Sequence, residues 1–212
     1  MYDCVVSFGD SWPAGSELLP YEKTYGELIA EHFAAEFVNC AVPASSIEAL
    51  VWQLQKFLDR PKSYQNILAL FFLTDYSRTI KFGHLGKPVD VFKDRFHEQY
   101  IKHIYTDFLG VFKANMCLHT LQHMCSVANI DDRYVMGWTK FPLRLHGINK
   151  TKILGEGTVS CLNMFKVYDN DPTDDANFIY YDYNHYIRPN QCHPNQLGHQ
   201  TIADRLITWI TQ

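Results

Sequence analysis

Ser11 and His193 are the two residues whose types and surroundings most directly suggest chemistry. Ser11 follows a short apolar run and a Gly9-Asp10 turn, which would project its hydroxyl from the end of a strand. His193 stands before Pro194, at the start of a helical pattern. A serine hydroxyl is a poor nucleophile near neutral pH unless a base takes its proton, and an imidazole has a suitable pKa. The pair therefore predicts nucleophilic catalysis, with Ser11 attacking and His193 acting as the base.

The segments around these two residues resemble the first and last sequence blocks of the SGNH/GDSL hydrolases. The run Val5-Val6-Ser7-Phe8-Gly9-Asp10-Ser11 is similar to the first block, whose serine is the nucleophile. The segment His193-Pro194-Asn195, with Gly198-His199 and Ile202-Ala203 after it, is similar to the last block, which supplies the base. The blocks stand in the family's order, so the chain is identified as a divergent member. The resemblance implies a serine esterase that needs no metal and no organic cofactor.

The same resemblance implies an oxyanion hole made by the N–H groups of Ser11 and Ala41 and by Thr74. The family usually has a glycine where this sequence has Ala41, and an alanine keeps the N–H that donates. The family usually has an asparagine where this sequence has Thr74, whose hydroxyl donates over a shorter reach. If this part of the match is shifted by one residue, Asp75 or Ser77 approaches the site instead.

The third member of the triad is the sharpest departure from the family. An aspartate is expected three residues before the histidine, and this sequence has Asn190 there. An amide can orient a neutral imidazole, but it cannot stabilise the imidazolium with a full negative charge. The sequence therefore predicts a Ser11–His193 dyad assisted by Asn190, by a backbone carbonyl, or by a carboxylate from elsewhere.

Three aspartates are further candidates around this site. Asp75 and Asp182 could fold back towards His193, and Asp10 could support the site or contact substrate. A second D-x-x-H pattern, from Asp182 to His185, is an alternative source of the base. It lacks the Pro-Asn and the helix that follow His193, which makes it the weaker choice.

Strand patterns alternate with helix patterns along the chain. This alternation predicts one domain over residues 1–212, an α/β fold built as a three-layer α/β/α sandwich with a mostly parallel central sheet of the SGNH/flavodoxin-like type. The carboxyl ends of the strands would then gather Ser11, Ala41 and Thr74. The predicted strands are Cys4 to Phe8, Glu36 to Ala41, Ile67 to Leu73 and Arg133 to Met136, and the predicted helices are Thr24 to Phe33, Ile47 to Leu58, two helices broken near Gly110 within 90–129, and Asn195 to Ile210.

Finer details of the helices are also predicted. Ser45 and Ser46 are expected to cap the second helix, and Leu197 is expected on the buried side of the last one. The segment from Phe141 to Tyr186 is irregular and receives no assignment. Its tyrosine-rich run, Tyr180 to Tyr186, is expected to line a substrate groove or to pack in the core.

Composition narrows the classes of partner. The net charge is −4 and the arginines are scattered, so no nucleic-acid partner is expected. No apolar run reaches the ~18 residues of a membrane span, and no basic, apolar leader is visible, so we expect no membrane partner and a cytoplasmic location. The six cysteines form no C-x-x-C pair and are expected to be free thiols, and the ten histidines form no zincin-like metal motif.

Two functions are consistent with these observations. The first is hydrolysis of a small acyl ester, such as an O-acetyl group on a carbohydrate. The second is a binding or structural role on the same scaffold with weak or absent catalysis, of the kind found among divergent phage proteins. The second is motivated by Ala41, Thr74 and Asn190, which replace the family's glycine, asparagine and aspartate.

Overall fold

The centre of the protein is a four-stranded parallel sheet, whose strands stand in the order β2 (Glu36–Asn39), β1 (Cys4–Phe8), β3 (Ile67–Leu73) and β6 (Asp131–Met136). The structure is a computed structural model, and it describes residues 1–60, 64–79, 81–82, 88–89, 95–137, 140–161, 164, 166–167, 180–181 and 193–212. The strands are β1 (Cys4–Phe8), β2 (Glu36–Asn39), β3 (Ile67–Leu73), β4 (Lys81–Phe82), β5 (Pro88–Val89), β6 (Asp131–Met136), β7 (Lys166–Val167) and β8 (Tyr180–Tyr181). The helices are α1 (Tyr25–His32), α2 (Ile47–Leu58), α3 (Arg95–His103), α4 (Asp107–Val127) and α5 (Gln196–Ile210), and 3₁₀ turns span Lys150–Lys152 and Leu154–Gly157. Strands β4 with β5 and β7 with β8 form two small antiparallel pairs.

Strand β3 is apolar throughout because helices cover both faces of the sheet. All seven of its residues are buried, as expected for a central parallel strand. Along each strand, successive side chains point to opposite faces of the sheet. Those on one face pack against α2 and α4, and those on the other face pack against α1 and α5. The predicted three-layer α/β/α sandwich with a parallel sheet is therefore confirmed.

The break in the long helical region lies elsewhere than predicted. Helix α3 ends at His103 and α4 begins at Asp107, with Thr106 as its N-cap, whose hydroxyl accepts from the Leu109 N–H at 3.1 Å. The prediction of a break at Gly110 was wrong, because Gly110 is a buried residue inside α4. A Cβ there would lie 2.7 Å from the Tyr76 ring, so the glycine allows a close approach.

Three smaller predictions also need correction. Strand β2 ends at Asn39, two residues early, because the chain there turns into a loop held by the Asn39 side chain. Ser46 is the N-cap of α2, but its side chain makes no capping hydrogen bond, and Ser45 instead donates to the Val42 carbonyl at 2.7 Å. Leu197 is 43% exposed, because the buried face of α5 is formed by Gly198, His199, Ile202, Ala203 and Leu206.

The strand order determines where a site can form. The chain runs from β1 outward to β2 and then crosses to β3 on the other side of β1. In doubly wound sheets, ligands bind at the carboxyl ends of the two strands where this reversal occurs. Here those ends are Phe8, which leads into Gly9-Asp10-Ser11, and Leu73, which leads into Thr74-Asp75.

Candidate active site

Gly9 begins the loop that carries Ser11, and it is held by a side chain from α2. The Gly9 N–H donates to Gln53 Oε1 at 2.9 Å, and Gln53 Nε2 donates to the Gly9 carbonyl at 2.9 Å. Gly9 has a φ of +152°, and a Cβ there would lie 2.5 Å from Pro13 Cγ. The turn before Ser11 therefore requires a glycine.

Asp10 is fully buried and pairs with Arg78. Arg78 Nη1 lies 2.8 Å from Asp10 Oδ2, and Asp10 Oδ1 accepts from the Trp12 N–H at 3.2 Å. A buried carboxylate is costly to desolvate unless it is paired and hydrogen-bonded, and this one is both. This contact ties the loop after β1 to the segment after β3, and the supporting role of Asp10 stays a prediction.

The loop that begins at Ser11 is closed by its own main chain. The Ser16 N–H donates to the Ser11 carbonyl at 3.0 Å, and the Gly15 N–H donates to the Trp12 carbonyl at 3.1 Å. Trp12 is fully buried and packs on Phe72, with ring centroids 5.6 Å apart. Ser11 itself is partly exposed, so the loop buries its tryptophan and leaves its serine at the surface of the sheet edge.

His193 contacts this same loop from the other end of the chain. Its Nδ1 lies 2.8 Å from Glu17 Oε2, across 176 positions of sequence. Glu17 follows Ser16 directly, and it has a φ of +71°, which is uncommon for a residue other than glycine. The base predicted from the last sequence block thus lies against the loop that carries the predicted nucleophile.

Helix α5 is fixed to the start of α1, and this fixes the position of His193. The Lys23 N–H donates to Gln196 Oε1 at 2.6 Å, and the Tyr25 N–H donates to His199 Nδ1 at 3.2 Å. The Tyr25 N–H is one of the α1 donors that have no partner within the helix, so His199 supplies the acceptor. Asn195 caps α5 by accepting from the Gly198 N–H at 2.9 Å.

Burial lowers the pKa of His199 to about 4, and the nearby His193 lowers it further in the same direction. The ring is 1% exposed, and its Nδ1 accepts a hydrogen bond, so the neutral ring carries its proton on Nε2. His199 is therefore neutral at physiological pH and adds no positive charge beside His193.

The two predicted oxyanion donors other than Ser11 are Ala41 and Thr74, which follow the carboxyl ends of β2 and β3. They differ in their hydrogen bonding. The Ala41 N–H donates to Asn39 Oδ1 at 3.0 Å, while Asn39 Nδ2 donates to the Pro13 carbonyl at 3.0 Å. Thr74 is fully buried, and its Oγ1 has no hydrogen-bond partner within the described part of the chain. Ala41 therefore already has an acceptor, and the Thr74 hydroxyl is enclosed.

The other sequence-derived candidates divide into two groups. Asp75 Oδ1 accepts from the Ser77 N–H at 2.7 Å, which engages both residues in their own turn. Asn190, Asp182 and His185 lie outside the described residues. Most of the Tyr180 to Tyr186 run also lies outside them.

Three residues that contact the site carry no motif that would have singled them out. Glu17 lies in a loop, Gln53 is a polar residue on the otherwise apolar, buried face of α2, and Arg78 follows a turn. Their contacts span 176, 44 and 68 positions of sequence. A buried carboxylate calls for a cation, but the burial of Asp10 is known only from the structure, so the sequence did not point to Arg78.

Four of the described cysteine side chains favour the neutral thiol form. Burial raises the pKa values of the Cys4 and Cys117 thiols to about 12 and also raises those of Cys40 and Cys161, which disfavours their thiolates. All five cysteines that the structure describes are free, and Cys192 lies outside them. Within the described ranges, no three His, Cys, Asp or Glu side chains are grouped to bind a metal ion, and no helix there is long and apolar enough to cross a membrane.

A cavity of about 530 Å³ opens beside Ala41, between the end of β2 and helix α2. Trp52 gives it an aromatic wall, and Lys56 lies 5.7 Å above the Trp52 ring. Its lining residues are Asn39, Cys40, Ala41, Val42, Trp52, Gln53, Lys56, Asp59 and Arg60. A mixed polar and aromatic lining of this kind suits a polar molecule with a flat apolar face.

Comparison with known proteins gives a match in structure but not in sequence. No protein-family model matches the sequence, and no curated protein matches it. A lipolytic protein of the G-D-S-L family from Desulfitobacterium hafniense superposes with a TM-score of 0.52 at 11% identity, covering 98% of this chain and 99% of that one. The psychrotrophic esterase EstA from Pseudoalteromonas sp., in a structure inhibited by monoethylphosphonate, superposes with a TM-score of 0.54 at 12% identity, covering 99% of this chain and 97% of that one.

A third structure extends this likeness. A G-D-S-L family lipolytic protein from Veillonella parvula gives a TM-score of 0.50 at 13% identity, covering 99% of this chain and 98% of that one. At identities this low, the superpositions show a shared fold and nothing finer. The resemblance to the SGNH/GDSL hydrolases, inferred from the two terminal sequence blocks, is thus confirmed at the level of the fold.

Proposed function

We propose that this chain, which has the fold of the G-D-S-L lipolytic proteins, is a divergent SGNH hydrolase that cleaves a small acyl ester with Ser11 as nucleophile and His193 as base. The observation that carries this proposal is the 2.8 Å contact between His193 Nδ1 and Glu17 Oε2. It holds the C-terminal histidine against the loop that begins at Ser11. A serine and a histidine on adjoining segments at the switch point of the sheet favour nucleophilic acyl transfer.

In the proposed reaction, Ser11 Oγ attacks the carbonyl carbon of the ester while His193 accepts the hydroxyl proton. The tetrahedral intermediate collapses as the ester C–O bond breaks, and the imidazolium gives its proton to the departing alcohol. Water then attacks the acyl-serine with His193 again as base. The second collapse releases the carboxylic acid and restores the serine.

The Ser11 N–H is the proposed main donor to the oxyanion, assisted by Ala41 and Thr74. Ala41 takes part when its N–H leaves Asn39 Oδ1, which requires the Asn39 side chain to turn away. Thr74 acts through its buried hydroxyl only if the loop beside it opens. Since one oxyanion donor is worth about 3 kcal/mol of the barrier, an incompletely formed hole predicts a slow enzyme.

The proposed substrate class is a small acyl ester, including an O-acetyl group on a carbohydrate. The cavity beside Ala41 supports the carbohydrate part, because the Trp52 ring can pack on the apolar face of a sugar. Lys56 and Asp59 offer hydrogen bonds to hydroxyl groups there. Such a sugar would occupy the cavity while its acyl group faced the oxyanion donor Ala41.

The test of this proposal is labelling and turnover. Wild-type protein should react with a fluorophosphonate probe and hydrolyse p-nitrophenyl acetate, whereas Ser11→Ala and His193→Ala should do neither above background. Ser16→Ala is the matched control, because it removes a hydroxyl from the same loop, and it should retain activity. Equal rates for wild type and Ser11→Ala, with acetylated sugars also uncleaved, would contradict the proposal.

A second candidate is a binding protein on the same fold. It is favoured by the Ala41 N–H that already donates to Asn39 and by the enclosed Thr74 hydroxyl, which leave the oxyanion hole incomplete. In that case wild type and Ser11→Ala would be equally unreactive, yet both would bind an acetylated sugar in calorimetry. Trp52→Ala would then weaken that binding.

A further inference from the structure

The ring of His193 has a carboxylate partner in the described structure, although the sequence has an amide at the family's expected position. Glu17 Oε2 lies 2.8 Å from His193 Nδ1. An ionised carboxylate only accepts hydrogen bonds, so this contact requires the proton on Nδ1 and leaves the lone pair on Nε2. That tautomer is the one a histidine needs in order to accept a serine proton at Nε2.

Charge gives Glu17 a second effect that Asn190 cannot supply. When His193 takes a proton, the ring becomes positive, and a carboxylate in direct contact stabilises that state. The Glu17 side chain is 34% exposed and the His193 side chain 22%, so water screens the pair in part but does not separate the two groups.

The main chain of Glu17 has an uncommon conformation. Its φ of +71° lies in the left-handed region, where residues with a Cβ are strained. The loop around it is held by the hydrogen bonds from Ser16 N–H to the Ser11 carbonyl at 3.0 Å and from Leu18 N–H to the Gly15 carbonyl at 3.1 Å. Strain of this kind persists where the surrounding structure fixes it, and it is concentrated at functional sites.

The other described carboxylates considered for this role have different partners. Asp75 accepts from the Ser77 N–H at 2.7 Å, and Asp10 pairs with Arg78 at 2.8 Å. Glu17 is therefore the described carboxylate with a direct contact to the His193 ring.

We propose that Glu17 is the positioning residue for His193, so that the loop carrying the nucleophile also supplies the carboxylate of the triad. The proposal rests on the Ser11–His193 chemistry proposed above. In the family pattern the acid and the base come from one C-terminal segment. Here the acid comes from the N-terminal loop, six positions after Ser11.

Three substitutions at position 17 test this in the full-length protein. Glu17→Gln keeps the shape and removes the charge, Glu17→Ala removes both, and Glu17→Asp keeps the charge on a shorter chain. With p-nitrophenyl acetate, kcat should fall roughly 10²-fold to 10⁴-fold in the first two, with KM changed less than about threefold. Glu17→Asp should recover part of kcat. Glu31→Gln, which removes an exposed carboxylate of α1 that pairs with Lys23, is the control and should match wild type.

If Glu17→Gln and Glu17→Ala keep the wild-type kcat while Ser11→Ala and His193→Ala lose it, the proposal is overturned and the esterase function stands. A folding check by circular dichroism and urea unfolding accompanies each variant. A loss of kcat in a variant that is folded supports the proposal.

Nuclear magnetic resonance provides a readout that does not depend on activity. Long-range ¹H–¹⁵N spectra, assigned with His193→Ala, should report the Nδ1–H tautomer of neutral His193 in wild type and a shift towards the Nε2–H tautomer in Glu17→Ala. A wild-type ring already in the Nε2–H form, or a ring unchanged in Glu17→Ala, overturns the proposal. If wild type hydrolyses no ester but the tautomer responds as expected, the proposed function fails and the positioning role of Glu17 is supported.

Discussion

Gln53 and Gly9 form a reciprocal pair of hydrogen bonds across 44 positions of sequence. The Gln53 amide accepts from the Gly9 N–H and donates to the Gly9 carbonyl, both at 2.9 Å, and it also donates to Ser45 Oγ at 2.9 Å. The Gln53 side-chain amide thus makes with Gly9, just after β1, the pair of hydrogen bonds that the main chain of a neighbouring strand would make. Because the pair is buried, it fixes the turn that presents Ser11.

Gln53→Leu is expected to destabilise the fold by about 2 kcal/mol. The leucine leaves the Gly9 N–H buried without an acceptor, which costs about 1–3 kcal/mol. The Gly9 carbonyl still accepts from the Val42 N–H at 3.0 Å, so that oxygen contributes less to the loss. Urea unfolding measures the change. Gln55→Leu, at an exposed position of the same helix where the side chain donates to Asp59 at 2.7 Å, is the control and should alter stability by less than about 0.5 kcal/mol.

Arg78→Met is expected to destabilise the fold by about 3 kcal/mol. Asp10 is fully buried, and removing the guanidinium takes away the cation that lies 2.8 Å from its carboxylate. The double variant Asp10→Asn with Arg78→Met should recover part of the loss, because the buried charge is then absent. Guanidinium chloride is avoided as denaturant since its ions screen the pair, and urea is used. Arg144→Met, at an exposed arginine, should leave stability near wild type. A double variant no more stable than Arg78→Met would contradict this account.

Stability is expected to fall between pH 6.5 and pH 4 because of His199. Burial lowers the pKa of His199 to about 4 in the folded state, whereas the unfolded chain has the ordinary value of 6.5. Below pH 6.5 the unfolded state therefore binds a proton that the folded state does not bind, and stability declines as pH falls by up to ~1.4 kcal/mol per pH unit. Above pH 6.5 the stability contributed by the neutral His199 is fully present, and below pH 4 that stability has been lost.

The variant His199→Asn tests this pH dependence, because Asn keeps an acceptor for the Tyr25 N–H and does not titrate. Its unfolding free energy should depend less steeply on pH over this window than that of wild type. His123→Gln, at an exposed histidine of α4, should keep the wild-type slope. A slope unchanged by His199→Asn would show that other groups cause the decline.

Trp52→Ala is expected to raise KM for an acetylated sugar roughly fivefold while leaving p-nitrophenyl acetate turnover unchanged. The aromatic wall of the cavity beside Ala41 would contact the sugar and not the acyl group, and an aromatic contact is worth about 1 kcal/mol. Steady-state kinetics with both substrates measures the difference. Trp209→Ala, whose ring packs under Arg133 away from this cavity, is the control. Equal effects of the two variants on KM would show that the sugar does not bind in this cavity.

The regular elements were predictable because their signals are local. The continuous apolar run Ile67–Leu73 and the helical spacing in Ile47–Leu58 predict elements with the same bounds that the structure has. Each signal needs only neighbours within a few residues, since strands and helices repeat over two to four positions. The prediction of a break at Gly110 was wrong because it, too, rested on a local signal. A glycine inside a helix has the same local signature whether it ends the helix or lets the Tyr76 ring approach.

The sequence alone determined the fold class and the two residues, Ser11 and His193, on which the proposed chemistry depends. Only the tertiary structure decided their surroundings, namely Glu17 on the His193 ring, Gln53 on Gly9 and Arg78 on Asp10. Apolar periodicity reports which face of an element is buried, whereas a polar contact between distant segments depends on how those faces pack. The contact between His193 and Glu17 exists because α5 docks on α1 and brings position 193 to the loop after β1.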